Sequence, residues 1–382
     1  MALDKNMKYK VDWLAFTLPL KIGADALKKS QKVMDYLAYD FADFKAIPGR
    51  YSYNAGLTLG NYVNVFYNDL DKKLNNNSQS SVNVIFTGQG CTDLNDKLVQ
   101  VYHSEDYELV WIKFFDFLDA INAKITRLDL ALDDFAGEID LNTVINKLQR
   151  GEYRSVKKTY NVVRSADQRG RLQGLTIYIG SNVKTGKGCY YLRMYDKYAQ
   201  YYAKLQIPPE EARKSGVWQR YELSFSKSKA RKFVKKIQET GNFGEAYFGV
   251  LRTMIEFLVP QKTKSGKNYQ DKDKWRVCSW WKAFINNTEK VRLGDAERDL
   301  DLASLLNWIR VEVVPSLRLL EKLGLERGFD IYQLIRQCEV NDFSKKQERM
   351  YQNALVLPDK LLNLYLTRFK DRENDDKKIP KK

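Results

Sequence analysis

Two cations and a phenol occur at alternate positions in the segment 190–197, YYLRMYDK. Leu192 and Met194 take the alternate positions, which predicts a β-strand with Arg193, Tyr195 and Lys197 on one face. Such a face suits a phosphodiester, because the cations can hold the phosphate while the phenol attacks the phosphorus. Tyr191 shares the face. A half-exposed hairpin with ordinary surface tyrosines is the alternative, since the chain has 24 tyrosines.

Carboxylates mark a second predicted strand, 124–133, in which leucines alternate with mostly polar residues. Asp129 and Asp133 lie on one face, together with Arg127. We take the spacing of the two carboxylates as about 7 Å, the rise of two strand residues, at which they could share one hard divalent cation. A solvated strand face with an ordinary Arg–Asp pair is the alternative.

A third predicted strand, 217–225, again places a carboxylate beside an arginine. Arg220, Glu222 and Ser224 alternate with apolar residues and therefore share one face. The three strands together offer cations, carboxylates and a nucleophile.

Basic segments flank these strands. The segment 154–171 and the predicted helix KSKARKFVKKIQE are rich in lysine and arginine, and either could bind a phosphate backbone. We predict DNA contacts from five basic residues: Arg127, Arg220, Lys229, Arg231 and Lys235. A solvated helix face is the alternative for the last three.

Composition limits the class of protein. The chain has 382 residues and a formal net charge of +16, which favours a polyanionic partner, with nucleic acid ahead of an acidic membrane surface. No apolar run is long enough to cross a bilayer, so we expect a cytoplasmic protein without membrane contact. The single histidine, His103, excludes sites that need two histidines, and four scattered cysteines indicate neither zinc nor disulfides.

The pattern of elements predicts an α+β fold with a mostly antiparallel central sheet, flanking helices and an all-helical C-terminal domain. We place a catalytic domain at 1–262, a linker at 263–274, a helical domain at 275–370 and a disordered tail at 371–382. Residues 8–18 are predicted to open the chain as a strand with Val11, Trp13 and Ala15 on one face. Helices are predicted at 24–45, 106–123 and 243–258.

Five segments occur in a fixed order along residues 8–260: VDWLAFTL, FTGQGC, RLDLALD, YIGS…YLRMYDK and RYELSF. In this order they resemble the replication initiation factor family, also called Rep_trans. That family includes rolling-circle replication initiators of Gram-positive plasmids, relaxases of integrative conjugative elements and related phage proteins. A weaker similarity continues around residues 304–320.

The resemblance implies an enzyme that nicks and rejoins one DNA strand. The R-x-Y-x-K position of the family matches Arg193, Tyr195 and Lys197, which implies that Tyr195 forms a 5′-phosphotyrosyl link and frees a 3′-hydroxyl. A free phenol has a pKa of about 10, so a neighbouring cation is expected to favour the phenolate. The partner is DNA, at an origin of transfer or a double-strand origin, and a host helicase could join it.

The resemblance also implies a metal. The acidic metal positions of the family match Asp129 and Glu222, with Asp133 as a third candidate, and Mg²⁺ or Mn²⁺ is the expected cofactor. Carboxylate ligands agree with a chain that has one histidine.

Two other functions remain open. The protein could bind a DNA sequence without cutting it, or it could be a metal-dependent hydrolytic nuclease in which the carboxylates act and Tyr195 does not. No nucleotide-binding glycine motif occurs in the sequence, which argues against ATP-driven chemistry.

Overall fold

The computed structural model describes residues 7–20, 26–74, 81–170, 172–180, 189–197, 199, 218–285 and 309–338, with a few single positions between 302 and 367. The strands are β1 (Met7–Pro19), β2 (Lys45–Pro48), β3 (Ala55–Leu59), β4 (Val63–Tyr67), β5 (Ser81–Phe86), β6 (Lys124–Asp134), β7 (Tyr153–Ser155), β8 (Tyr160–Ala166), β9 (Leu172–Ile179), β10 (Tyr190–Asp196), β11 (Gln219–Ser226), β12 (Ile255–Val259) and β13 (Arg276–Val277). The α-helices are α1 (Ala26–Tyr36), α2 (Gly88–Tyr102), α3 (Tyr107–Ala120), α4 (Leu141–Gln149), α5 (Ser228–Thr240), α6 (Phe243–Met254), α7 (Ser279–Phe284), α8 (Val314–Arg327) and α9 (Ile331–Gln337).

Two compact units divide the chain, and each is assembled from separate stretches of sequence. The first contains the described residues of 1–17, 60–64 and 84–296, and the second contains those of 18–59, 65–83 and 297–382. Residues 275–285, which the sequence analysis assigns to the helical domain, lie in the first unit. There Trp281 packs against Phe257 with ring centroids 4.9 Å apart. An independently folding domain at 1–262 stays a prediction.

An antiparallel sheet forms the centre of the first unit. Its strands follow the order β1-β6-β11-β10-β9-β8, and every neighbouring pair is antiparallel. A separate three-stranded sheet has the order β13-β12-β7. The predicted α+β class with a mostly antiparallel sheet is therefore confirmed.

One face of the central sheet is apolar and carries helices. Phe225 of β11 stacks on Phe233 of α5 with centroids 4.0 Å apart, and the Tyr247 hydroxyl of α6 donates to the Tyr221 carbonyl at 2.7 Å. These four side chains are fully buried, and burial of each large apolar side chain stabilises the fold by about 1.5–3 kcal/mol. The opposite face carries the polar residues of the three predicted strands.

Two irregularities in β1 change its predicted faces. Its register against β6 shifts between Val11 and Trp13 and again between Ala15 and Phe16. An extra residue at such a bulge breaks the alternation of side chains. Val11 lies opposite Leu130 of the apolar face, whereas Trp13 and Ala15 lie opposite Asp129 and Arg127 of the polar face. The predicted shared face of Val11, Trp13 and Ala15 is therefore wrong.

The helix predicted at 243–258 ends at Met254, and Ile255 continues as β12. The run IEFLV is apolar enough for either structure, and pairing decides it: β12 bonds to β7 on one side and to β13 on the other. In the helix predicted at 106–123, observed as α3, Leu109 was expected to be buried but is 40% exposed. Apolar residues of that helix occur on most of its sides, so periodicity alone does not select the buried side.

The second unit contains α1, the β2–β3 hairpin and the C-terminal helices α8 and α9. The helix predicted at 24–45 stops at Tyr36, and Lys45 already belongs to β2. Pro315 lies in the first turn of α8, where its missing N–H costs no hydrogen bond. The described part of the C-terminal region is helical, as predicted, and the predicted tail lies outside the described residues. None of the described helices is long and apolar enough to span a membrane.

Candidate active site

Strand pairing aligns the polar faces of β10, β11 and β6. The pairs opposite each other on this face are Arg193–Glu222, Tyr195–Arg220, Ser224–Asp129 and Arg220–Asp133. All three predicted strands thus contribute to one surface, on the side of the sheet away from α5 and α6. The candidate residues Tyr195, Arg193, Lys197, Glu222 and Asp129 lie within this region.

Tyr195 lies half-buried among groups of both signs. Its hydroxyl is 3.5 Å from Glu222 Oε2, a long contact, and Arg193 pairs with the other oxygen of the same carboxylate. The Arg193 guanidinium lies 5.9 Å and the Lys197 ammonium 5.6 Å from the centre of the Tyr195 ring. The predicted nucleophile and both predicted cations are therefore close together.

Burial raises the pKa of Tyr195 well above the usual phenol value. Arg220 and Arg193 lower that pKa, but Glu222 acts with burial to raise it. The expected phenolate is thus not favoured in this state, which corrects the sequence analysis. Burial also lowers the pKa of Lys197, and the nearby Arg220 lowers it further.

Two buried carboxylates on β11 and β6 influence each other, and one of them, Glu222, contacts Tyr195. Glu222 is fully buried and Asp129 is 1% exposed. Burial raises the pKa of Glu222 to about 7, and the negative charge of Asp129 acts in the same direction. Asp129 accepts hydrogen bonds from Ser224 Oγ at 2.6 Å and from Arg127 at 2.5 and 3.1 Å. The two acids therefore repel each other in a water-poor place.

Arg220 is a buried structural arginine. It is 6% exposed, and it binds Asp133 through two nitrogens at 2.5 and 2.8 Å and Asp12 at 2.8 Å. Three of its nitrogens face carboxylates inside the protein, and its role in DNA binding stays a prediction. Arg127 pairs with Asp129 as well, but its side chain is 35% exposed.

The predicted pairing of Asp129 with Asp133 around one cation is also corrected. They are four residues apart on β6, so a strand rise of about 3.3 Å per residue separates them by about 13 Å rather than 7 Å. The carboxylate that affects Asp129 is Glu222 on the neighbouring strand. Asp133 instead forms the ion pair with Arg220.

Asp12 is the residue that sequence reasoning missed. It lies at the first bulge of β1, where the register against β6 shifts, and it contacts Arg220 from a strand 208 residues earlier in the chain. Its only signal in the sequence is an acidic residue inside an apolar strand, in VDWLAF. Ser224 was placed on the correct face, but its bond to Asp129 was not predicted.

Tyr191 was the other possible nucleophile on this face. Its ring lies 6.4 Å from that of Tyr178, whereas Tyr195 contacts the Glu222 carboxylate. Tyr190 points to the helix-covered face, where it stacks on Phe225. A further neighbour, Tyr198, lies outside the described residues.

The three basic residues predicted on the helix after β11 belong to α5. Lys235 is exposed, and Lys229 and Arg231 are half-exposed, while Phe233, Val234 and Ile237 bury the opposite side of the helix. Their charged ends are thus within reach of a DNA backbone.

Other metal or redox sites are not found in the described parts of the chain. No group of three or more histidine, cysteine, aspartate or glutamate side chains could hold a metal ion there. His103 is exposed and follows the last residue of α2. The four cysteines are free.

Comparison with known proteins points to one family. The model of the replication initiation factor family matches residues 123–335, which include β6, β10 and β11. A protein of Bacillus subtilis (strain 168) named "Putative DNA relaxase NicK" is 24% identical over 344 residues, or 87% of this chain and 90% of the relative. The structure of a rolling circle replication initiator protein from Geobacillus stearothermophilus is 23% identical, with a TM-score of 0.54, and the match covers 76% of this chain and 100% of that one.

Proposed function

The chain belongs to the replication initiation factor family, and from this premise we propose that it nicks and rejoins one DNA strand with Tyr195 as the nucleophile. The observation that carries the proposal is the contact of 3.5 Å between the Tyr195 hydroxyl and Glu222, next to the Arg193 side chain. A phenol, an acceptor for its proton and a cation for the phosphate are together on one strand pair.

In the proposed reaction Tyr195 Oη attacks the phosphorus of one phosphodiester. The new bond joins Oη to phosphorus, the bond from phosphorus to the 3′ oxygen breaks, and the products are a 5′-phosphotyrosine and a 3′-hydroxyl. The phenolic proton leaves toward Glu222, the nearest carboxylate, and the departing 3′ oxygen takes up one proton. The phosphodiester energy is kept in the covalent link, so rejoining by the reverse reaction needs no ATP.

Arg193 is suited to hold the scissile phosphate. Its Nε is buried and makes no hydrogen bond within the described part of the chain, although a buried donor normally has a partner. A phosphate oxygen would supply the acceptor and would place negative charge beside Tyr195. The Lys197 ammonium lies 5.6 Å from the centre of the Tyr195 ring, and it would offset the charge that develops on the phosphate.

Asp129 and Glu222 fit a divalent cation. Mg²⁺ is commonly held by one or two carboxylates, with water and substrate phosphate as further ligands. Burial and then the negative charge of Asp129 raise the pKa of Glu222, and a cation between the two carboxylates would offset both effects. Each carboxylate also has lone pairs beyond those used by its arginine. When bound, Mg²⁺ or Mn²⁺ would polarise a non-bridging phosphate oxygen. Asp133 is not a ligand in this proposal.

A denaturing gel tests the proposal directly. A fluorescent single-stranded oligonucleotide that spans the origin should be cleaved and should migrate attached to the wild-type protein. Tyr195→Phe should lose both cleavage and adduct but should bind DNA normally, because only the hydroxyl is removed. Tyr191→Phe, the matched control on the same face, should retain both.

The other outcomes are distinct. An adduct that survives in Tyr195→Phe and disappears in Tyr191→Phe would move the nucleophile to Tyr191. Cleavage without any adduct would favour the hydrolytic nuclease, and binding without cleavage would favour a DNA-binding protein that has no catalytic role.

The relatives suggest the setting of this reaction. One is named as a DNA relaxase and the other as a rolling circle replication initiator, so we propose DNA at an origin of transfer or replication as the partner. Recruitment of a host helicase stays a prediction.

A further inference from the structure

Positive charge gathers at one end of the central sheet, away from Tyr195. Here β8 begins opposite the last residue of β9, and β10 begins opposite the end of β11. Residues 156–159, which lead into β8, contain two lysines and no acidic residue. Residues 226–236, from the end of β11 into α5, contain six basic residues and no acidic one.

Two of these lysines converge on one aromatic ring. The Lys157 ammonium lies 3.1 Å and the Lys229 ammonium 5.9 Å from the centre of the Tyr190 ring. The ring is held by stacking on Phe225, with centroids 6.0 Å apart and planes at 11°. The stem of Lys157 crosses Gly180, where a β-carbon would lie 3.1 Å from Lys157 Cδ. The half-buried lysine is thus held in place from two sides.

The charge of Lys157 has no acidic residue opposite it in the part of the chain that the structure describes. Lys157 forms no ion pair with any residue that the structure describes, and its charged neighbour is another lysine. Burial lowers the pKa of Lys157 to about 8, repulsion from Lys229 acts the same way, and Cys189 opposes them. Like charges held together in a partly buried place favour an added anion.

We propose that Lys157 and Lys229, with Tyr190 between them, bind a backbone phosphate of the DNA outside the scissile position. The proposal rests on the proposed function, because that function makes DNA the partner. Tyr190 and Tyr195 are five residues apart on β10, about 17 Å, and point to opposite faces of the sheet. The site therefore contacts flanking DNA and takes no part in the chemistry.

Salt dependence of binding tests the proposal. The probe is a 30-nucleotide DNA of arbitrary sequence, single-stranded or duplex, because phosphate contacts carry no sequence information. Loss of one contact should reduce the slope of log affinity against log salt by about 0.7 on the single strand and about 0.9 on the duplex. We expect this loss in Lys157→Met.

A neighbouring variant is the control. Lys158→Met removes the same charge from an exposed position one residue away, and it should leave the slope unchanged. Lys157→Arg should keep the slope near wild type, because the guanidinium also binds phosphate. Equal slopes for wild type and Lys157→Met would overturn the proposal, and so would equal losses in Lys157→Met and Lys158→Met. In both cases a lower melting temperature of Lys157→Met would assign Lys157 a purely structural contact with the ring.

The result is independent of the proposed chemistry. All binding is measured in the Tyr195→Phe background, and the adduct is measured separately with the wild-type protein and origin DNA. Failure of the adduct in the wild type would disprove the role of Tyr195 and leave the slopes interpretable. Unchanged slopes with a normal adduct would disprove only the phosphate site.

Discussion

The two basic regions of the first unit, one around Tyr195 and one around Tyr190, differ in whether their cations are paired with carboxylates. Around Tyr195, the arginines Arg127, Arg193 and Arg220 are each paired with a carboxylate. Around Tyr190, Lys157 has no acidic partner among the described residues, and its neighbour Lys229 repels it. Both regions are basic in sequence, so net charge alone does not distinguish them.

The difference shows what each region is built to do. Arginines that are paired with carboxylates are fixed in position and contribute order rather than free charge, which a reaction centre requires. Lys157, which has no acidic partner among the described residues, keeps its charge for a partner, and rising salt weakens the attraction. Variants that remove one charge from each region should therefore affect different properties.

The largest effect should follow from removing one of the two buried carboxylates, Asp129 or Glu222. We expect Asp129→Ala and Glu222→Ala each to slow cleavage by at least about a hundredfold, since removal of one electrostatic group in an active site costs about that much. Wild-type cleavage should stop in excess EDTA and return with Mg²⁺ or Mn²⁺. Rates of cleavage of the origin oligonucleotide measure this, and full activity in EDTA would rule out the metal.

Next in size is the loss of the buried Arg220. Arg220→Met should lower the free energy of unfolding by about 3–5 kcal/mol, because Asp133 and Asp12 would lose their buried partner. Lys157→Met, the matched change in the unpaired region, should stay within about 1 kcal/mol of wild type. Urea unfolding followed by circular dichroism measures both. Similar losses in the two variants would remove the contrast between the regions.

A smaller effect should appear when the surface charge of α5 is neutralised. The variant with Lys229, Arg231 and Lys235 all changed to Ala should reduce the salt slope by up to about 2.7 on duplex DNA, or about 0.9 for each lost contact. Affinity for a cognate and a scrambled site should fall alike, because phosphate contacts do not read bases. An unchanged slope would make α5 a solvated face, and a loss confined to the cognate site would mean that it reads bases.

The smallest effect should be a pH dependence carried by Lys157. Its pKa of about 8 should rise when phosphate binds, so DNA affinity should fall by a few-fold as pH increases above about 8. In the free protein, stability depends on pH with the opposite sign. The unfolded chain keeps this proton up to about pH 10.4, so the Lys157 contribution to stability rises between about pH 8 and 10.4.

Differences between wild type and Lys157→Met isolate this dependence, because Lys229, Cys189 and Tyr190, which face Lys157, are present in both. Affinity and the urea midpoint should be measured from pH 7 to 9.5. A wild-type affinity that falls no more steeply than that of Lys157→Met would contradict the assignment.

The sequence by itself determined which residues share a strand face. Alternation fixes this at Tyr195, at Asp129 and at Glu222, because successive side chains of any strand point to opposite sides. It also determined the basic character of the segments at 154–171 and 227–236. These features are local, and they agree with the structure wherever the strands are regular.

Tertiary structure alone decided which faces meet and what each charge does there. The register of β10, β11 and β6 places Arg193 opposite Glu222 and Arg220 opposite Asp133. A bulge in β1 brings Asp12 into contact with Arg220. Neither the register nor the bulge is encoded in local periodicity, because both depend on pairing between strands distant in sequence. For the same reason, Arg220 and Lys229 look alike in the sequence, yet one is buried between aspartates and the other faces a second lysine.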